Sequence, residues 1–410
     1  MKKKLLAILL ILSMLMLSAC SSQSGSTDAK QDDTGEGNST TEQTTVTFYG
    51  WGGSEVANAW IDGYLTDAVA KKYNIKLERV GMNIDEILNL LLNEKQAGTD
   101  KGSIDIIWIN GENFASAKEN GLLYGPFASE LENFSKYLDP NSPDVMFDFG
   151  VATEGYEVPF GKAQFVMVYD SSLLSQVPAD HKALLEMAKT NPGKFTYPAP
   201  PDFTGSAFVR NIIYDIVGYE QFLTMDADYD TVKSAIMPAM DYLKELKPYL
   251  WNEGKTYPAS LSILDNMYAD GEVFMTMDYN PNSASSRIST GEFPDATKTF
   301  IFDKGSIGNT HFVAIPFNSP NVEGAKAVIN EIISVEAQAK KYDPSGWGDL
   351  PVIDNSKLSD DEKKVFDSIP LGKATLPQDE LMSKRMPELP AKLVPIIEQI
   401  WMETIAAESN

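Results

Sequence analysis

Cysteine is almost absent from this chain of 410 residues, with Cys20 the single example. No disulfide can form within one chain, and no thiol pair or cysteine-built metal site is available. Histidine is nearly as scarce. His181 and His311 are the two present, which argues against a His-rich metal-capture site, and no metal or cofactor is expected. Basic residues are few beside acidic ones, 34 against 58, for a net charge of −24. A surface of that sign disfavours nucleic acid, because phosphate contacts need Lys and Arg. It suits attraction of a cationic ligand, and it equally suits plain solubility. No long apolar run follows residue 19, so no transmembrane domain is expected. Two partial motifs also fail. Asp226, Asp228 and Asp230 begin like a calcium loop, but Thr231 takes the glycine position and Met237 the closing glutamate position. Gly254-Lys255-Thr256 ends like a P-loop, yet Tyr249 stands where its first glycine belongs. ATP hydrolysis is therefore expected of a separate subunit.

What is present begins with an address. Lys2, Lys3 and Lys4 precede the uncharged stretch Leu5 to Ala19. That stretch is shorter than the roughly 20 residues a spanning helix needs, so it reads as an export signal. It ends in Leu17-Ser18-Ala19-Cys20, which resembles the bacterial lipobox, where the cysteine is acylated and becomes the new N-terminus. Cys20 is thus the expected lipidation site, anchoring the chain outside the cytoplasm. Ser21 to Thr44 has Ala29 as its sole apolar residue and cannot offset its ordering entropy by burial. It reads as a flexible tether, spanning roughly 25–30 Å as a random coil.

The whole chain is 43% hydrophobic residues, and its body is long enough to split into two lobes. Thr45 to Tyr49 alternates as a strand does, and Gly50-Trp51-Gly52-Gly53 breaks it. Ser54 can cap a helix carrying Val56, Trp60, Tyr64 and Ala68 at four-residue steps. A strand is expected over 75–80. Asn83 and Glu86 form a capping-box pattern, followed by the stripe Ile84, Ile87, Leu88, Leu91 and Leu92. Ile104 to Ile109 reads as a strand buried on both faces, and a helix is expected over 113–120. Strand alternating with helix points to an α/β fold with parallel strands, whose ligands bind beyond the strands' carboxyl ends. The loops there are 50–54 and 110–113. Further on, helices are expected over 181–189, 207–217 and 322–333. Strands are expected over 195–197, 273–277 and 312–317.

Five segments together resemble the YnjB-like solute-binding proteins of ABC transporters, relatives of the thiamine and polyamine binders. They are Gly50-Trp51-Gly52-Gly53-Ser54, Gly102-Ser103-Ile104-Asp105, Trp108 to Phe114, Thr153-Glu154-Gly155-Tyr156-Glu157 and Pro201 to Phe208. The resemblance runs from about 45 to near 400. It implies a type II periplasmic-binding-protein-like fold, two α/β lobes with a ligand cleft between them. Mapped here, the first lobe is about 45–155 plus 312–340 and the second about 162–311 plus 345–400. Crossings are expected over 153–162 and 311–317. Hinge closure is the expected motion, as in periplasmic binding proteins generally. A thiamine-like or other small cationic ligand, an ABC permease with its separate ATPase subunit, and a monomer are also implied.

The candidate ligand residues carry two readings each. Trp51 and Trp347 lie in glycine-flanked loops, Trp347 within Ser345-Gly346-Trp347-Gly348, and either stacks on a flat cation or packs as a lid. Gly53 and Ser54 belong to the same loop as Trp51. Glu112 either pairs with a cation or complements the dipole of the next helix, beside Asn113. Tyr156 is a crossing residue, ligand-facing or hinge-packed. Thr204, Gly205 and Ser206 either present amides and hydroxyls to an anionic group or form a plain helix cap. Asp278 and Tyr279 end a strand, as ligand residues or as a solvated turn. A binding module is the first expectation for function. The alternative is an extracytoplasmic hydrolase using two carboxylates on a glycan, which turnover would distinguish.

Overall fold

The computed structural model describes residues 43–407; the export signal, Cys20 and nearly all of the tether lie outside the described residues. Those residues form twelve strands. Three carry the parallel core of the main sheet: β1 (Thr44–Gly50), β2 (Ile75–Gly81) and β3 (Ile106–Ile109). Thr44 pairs with Ile75, so the tether ends one residue earlier than expected. β1 lies between β2 and β3 and runs parallel to both, which brings all three carboxyl ends to one edge. Val46 and Phe48 face one core, and Ile106 and Ile107 face opposite ones, as a doubly buried strand requires.

The helix after β1 departs from its expected stripe. It continues through a π-helical stretch, Trp60–Leu65, into Thr66–Tyr73. The wider turn shifts the buried face to Ala57, Trp60, Ile61, Leu65 and Val69. Val56 is left 45% exposed. The next helix, Ile84–Gln96, has the capping box that Asn83 and Glu86 announced, and buries Ile87 and Leu91.

The remaining strands are β4 (Leu123–Tyr124), β5 (Phe147–Asp148), β6 (Val151–Ala152), β7 (Glu157–Gln164), β8 (Val166–Asp170), β9 (Met275–Asp278), β10 (Thr297–Phe300), β11 (Ser306–Pro316) and β12 (Arg385–Pro387). The main sheet runs β12-β11-β3-β1-β2, with β4 and β7 also on β11. β5 and β6 form a hairpin, and β8 sits between β10 and β9 in an antiparallel sheet. The strand expected over 312–317 is the second half of β11. Its first half, Ser306 to His311, is polar in sequence, yet Ser306, Asn309 and Thr310 are buried. No strand forms over 195–197; that segment makes single contacts, such as Trp251 N–H to Phe195 C=O at 2.8 Å. The helix expected from 207 starts at Phe203 and runs to Val217, buried without a break from Thr204 to Asp215.

Two large cores result. One gathers Val46, Trp60, Ile106, Phe160, Val313, Val328 and Trp347, and a satellite with Ile107, Ile109 and Phe114 lies across the sheet from it. The other gathers Phe165, Phe208, Ile212, Met240, Met275, Ile397 and Trp401. β7 and β11 contribute to both, through Phe160 and Ala163 on one strand and Val313 and Ile307 on the other. These paired strands change register between His311 and Phe312. Val352, Ile353 and Leu358 pack with the first core. No helix among the described residues is long and apolar enough to cross a membrane.

Candidate solute cleft

The carboxyl ends of β1 and β3 present the first-core side. Trp51 follows β1 and is 56% exposed. Its indole folds over Gly53, where an added Cβ would stand 2.3 Å from a ring carbon. Ser54 caps the following helix by accepting the Ala57 N–H at 3.3 Å, and the Asn58 amide donates to the Gly52 carbonyl at 2.9 Å. These bonds fix the loop that carries Trp51. After β3, Gly111 turns the chain with φ +65°, and Glu112 and Asn113 open the helix Glu112–Glu119. Glu112 is exposed, yet partial burial raises its carboxyl pKa, and the charges of Asp85 and Glu398 raise it further. Asp85 belongs to the first-core side, and Glu398 lies on the helix Val394–Trp401, which packs in the second core. Glu112 therefore feels one carboxyl charge from each side.

The second-core side is a hydrogen-bonded chain. Ser206 donates to Glu398 Oε1 at 2.6 Å and receives an Arg210 N–H at 2.6 Å. Arg210 grips Glu388 with two bonds, at 2.9 and 3.2 Å, both side chains 2% exposed. The Tyr279 hydroxyl donates to the same Glu388 at 2.7 Å. Burial opposes the Arg210 charge, but Glu388 outweighs it and Glu398 adds to its support, so Arg210 also offsets part of the Glu398 charge. Phe203 covers this chain, 51% exposed and 4.9 Å from the Tyr279 ring.

The sequence candidates separate on this geometry. Trp51, Gly53, Ser54, Glu112 and Asn113 gather at the ends of β1 and β3. Ser206 and Tyr279 belong to the chain leading to Glu398. Thr204 and Gly205 lie in the first turn of their helix because it starts at Phe203. Their N–H groups are taken by the Asp202 carboxylate at 3.0 and 2.9 Å, which is the helix-cap reading. An added Cβ on Gly205 would meet the Pro198 carbonyl oxygen at 2.0 Å, so close packing accounts for this glycine. Trp347 is 8% exposed, its ring 5.8 Å from Trp60 and 5.9 Å from Trp108, with the Lys341 ammonium 5.4 Å away. Tyr156 packs with the satellite core under Lys118. Asp278 accepts the Asn280 N–H at 2.8 Å in its own turn. Sequence reading missed Asp85, Phe203, Arg210 and Glu398. Phe203 alone had a local sign, an aromatic beside the helix-capping Asp202.

Comparison with known proteins decides what kind of site this is. The family model described as bacterial extracellular solute-binding protein matches residues 65–366. The chain belongs to that family. This solute-binding protein is 36% identical over 360 residues to protein YnjB of Escherichia coli strain K12, covering 87% of this chain and 90% of YnjB. A crystal structure of an ABC transporter protein from Clostridium perfringens ATCC 13124 is similar with a TM-score of 0.61 at 22% identity, covering 89% of this chain and 100% of that one. The spermidine/putrescine ABC transporter substrate-binding protein PotD of Streptococcus pneumoniae, solved with calcium and HEPES, has a TM-score of 0.62 at 14% identity, covering 88% and 98%. The solute-binding protein has the two-lobed type II periplasmic-binding fold. The hydrolase alternative has no support among these relatives.

Proposed function

We propose that this solute-binding protein captures a small organic cation, thiamine-like in joining a flat ring to positive charge, and hands it unchanged to an ABC permease driven by a separate ATPase subunit. The observation that carries the reading is the mutual charge of Asp85, Glu112 and Glu398, with exposed Trp51 after the neighbouring strand β1 and exposed Phe203 opening the helix of Ser206. Carboxylates attract the charge, and an aromatic face attracts a flat or cationic body. The lobes follow the two cores, about 45–155 plus 312–340 and about 162–311 plus 345–400, with Trp347, Val352, Ile353 and Leu358 of the latter stretch packing in the first core. Closure bends the β7–β11 pair. We assign Cys20 as the lipid anchor that keeps a monomeric, non-enzymatic receptor outside the cytoplasm and beside its permease.

Thermal-shift and calorimetric titration test the ligand class. A ligand at 100 times its dissociation constant stabilises by about 2.7 kcal/mol. Thiamine is expected to shift the melting curve, with putrescine and spermidine as ring-free comparisons and inorganic phosphate as the anionic control. Silence from thiamine, its phosphates and its pyrimidine fragment, with folded protein, ends the thiamine-like reading. Binding of phosphate alone ends the cationic one. For the anchor, Cys20→Ala is expected to release the protein from membranes; undiminished membrane association overturns that assignment.

A further inference from the structure

Glu157 opens β7 with 1% exposure, and neither of its carboxyl oxygens has a hydrogen-bond partner. Asp148, on the β5–β6 hairpin, is equally buried. One of its oxygens accepts the Gly111 N–H at 2.5 Å, and the other has no partner. The elements packed around this pair add Lys118, from the Glu112–Glu119 helix, and Glu154, from the turn before β7. The Lys118 ammonium donates to the Ala152 carbonyl at 2.7 Å and pairs with Glu154 at 2.8 Å. It is engaged there and makes no bond to Glu157.

An ionised carboxylate is an acceptor only, and burying one without donors is heavily penalised. An un-ionised carboxylic acid has its own O–H to donate and needs no donor aimed at it. Burial pushes the Glu157 carboxyl well above its ordinary range, the Asp148 charge adds to that, and Lys118 opposes it. Burial also raises Asp148, but there the Gly111 N–H opposes the rise. Both carboxyls are pushed toward the un-ionised form, and Glu157 has no donor facing it.

Its position gives the proton a mechanical meaning. Glu157 is cross-strand from Ala314, on the strand pair shared by both cores. Asp148 holds Gly111, the residue that turns β3 into the helix of Glu112 and Asn113. Between them Phe149 has φ +44°, a left-handed backbone that a bulky residue adopts only under constraint, and its ring fills the space Gly111 leaves.

We propose that Asp148 braces the 111–113 turn of the solute site through its bond to Gly111, that Glu157 is un-ionised at the start of the crossing strand β7, and that ionisation of Glu157 loosens this turn. The proposal rests on the placement of Glu112 in that site, but its test needs no solute, so the two readings fail separately. Glu157→Gln supplies a neutral group of similar shape. A carboxyl raised on folding weakens the protein as pH climbs from its unfolded value of about 4.3 toward its folded one. Wild type and Glu157→Gln should therefore be separated by a constant melting-temperature offset below about pH 4. By about pH 8 the offset should have moved by about 2 °C or more in favour of the variant. Amide exchange of 110–113, followed by mass spectrometry, should be faster in wild type than in the variant at high pH and equal at low pH. An offset that does not change with pH overturns the un-ionised acid. A changing offset with identical exchange overturns the brace. Asp148→Asn, which weakens the acceptor for Gly111, should speed exchange in the same segment; unchanged exchange there also overturns it, whether or not the Gln variant folds.

Discussion

Trp51 offers more than half of its surface to solvent, and its ring is held by a capped, glycine-built loop. Trp51→Ala should weaken cation binding by about 1 kcal/mol or more, roughly fivefold, with little change in melting temperature. Calorimetry showing unchanged affinity would remove Trp51 from the site. Gly205→Ala should do the opposite. Its Cβ would collide with the Pro198 carbonyl, so the variant should lose about 1–3 kcal/mol in urea unfolding; full stability would show that the loop yields freely. Glycine flanks made both Trp51 and Trp347 conspicuous in the sequence. Such flanks report close backbone approach, not exposure, and Trp347 is core while Trp51 is not. Glu398 and Asp85 were illegible for a different reason. Their meaning comes from their charge at Glu112, which lies far from Glu398 in sequence and feels it only through the fold.

Helix starts and strand crossings set the next scale. Asp202 holds two N–H groups of the Phe203–Val217 helix and also accepts Leu261 N–H at 3.2 Å. Asp202→Ala should lower stability by about 1–2 kcal/mol, read as a fall in the urea midpoint at constant slope. A midpoint unmoved within error would mean that the buried helix needs no cap. At the crossing, Gly161 faces the Asp349 carboxylate, which pairs with Lys341 at 2.6 Å and His311 at 3.3 Å. A Cβ on Gly161 would stand 1.9 Å from that carboxylate. Gly161→Ala should therefore reduce stability and solute affinity together; loss of neither would separate this contact from the hinge. Local chemistry was readable at this scale, as the capping box at Asn83 and the Ser54 cap show. The π-helical turn at Trp60 was not, because one extra residue per turn leaves no mark in composition. The first half of β11 was hidden by polar side chains that become buried only when β7, β12 and Arg385 surround them.

Across the whole molecule, buried ion pairs set the acid limit of stability. Burial works to raise the Asp144 carboxyl, but the charges of Arg385 and Lys162 outweigh it and hold it well below the usual range. Asp349 is likewise lowered, with Lys341 and His311 overcoming burial. A depressed carboxyl contributes stability above its unfolded pKa, about 3.9 for Asp, and that contribution is lost as pH falls toward the folded value. Melting temperature should drop below about pH 4, and Asp144→Asn should start lower and fall less steeply. Parallel acid limbs in the two proteins would count against this pair. The α/β alternation through Ile109 was enough to locate the strand edge where the proposed site lies, because that order is local and repeated. The division of the later chain between cores was harder to read, since Trp347, Val352, Ile353 and Leu358 return to the first core after the second has begun, while Leu350 between them joins the second. This return governs how the protein is made. A ribosome delivers the chain from its N-terminus, so β1, β2 and β3 emerge long before β11, the strand that pairs with β3. The first core waits for Leu358 and the second for Ile405. Neither can set while the nascent chain is short, so long-range pairing such as that of β3 with β11 forms late.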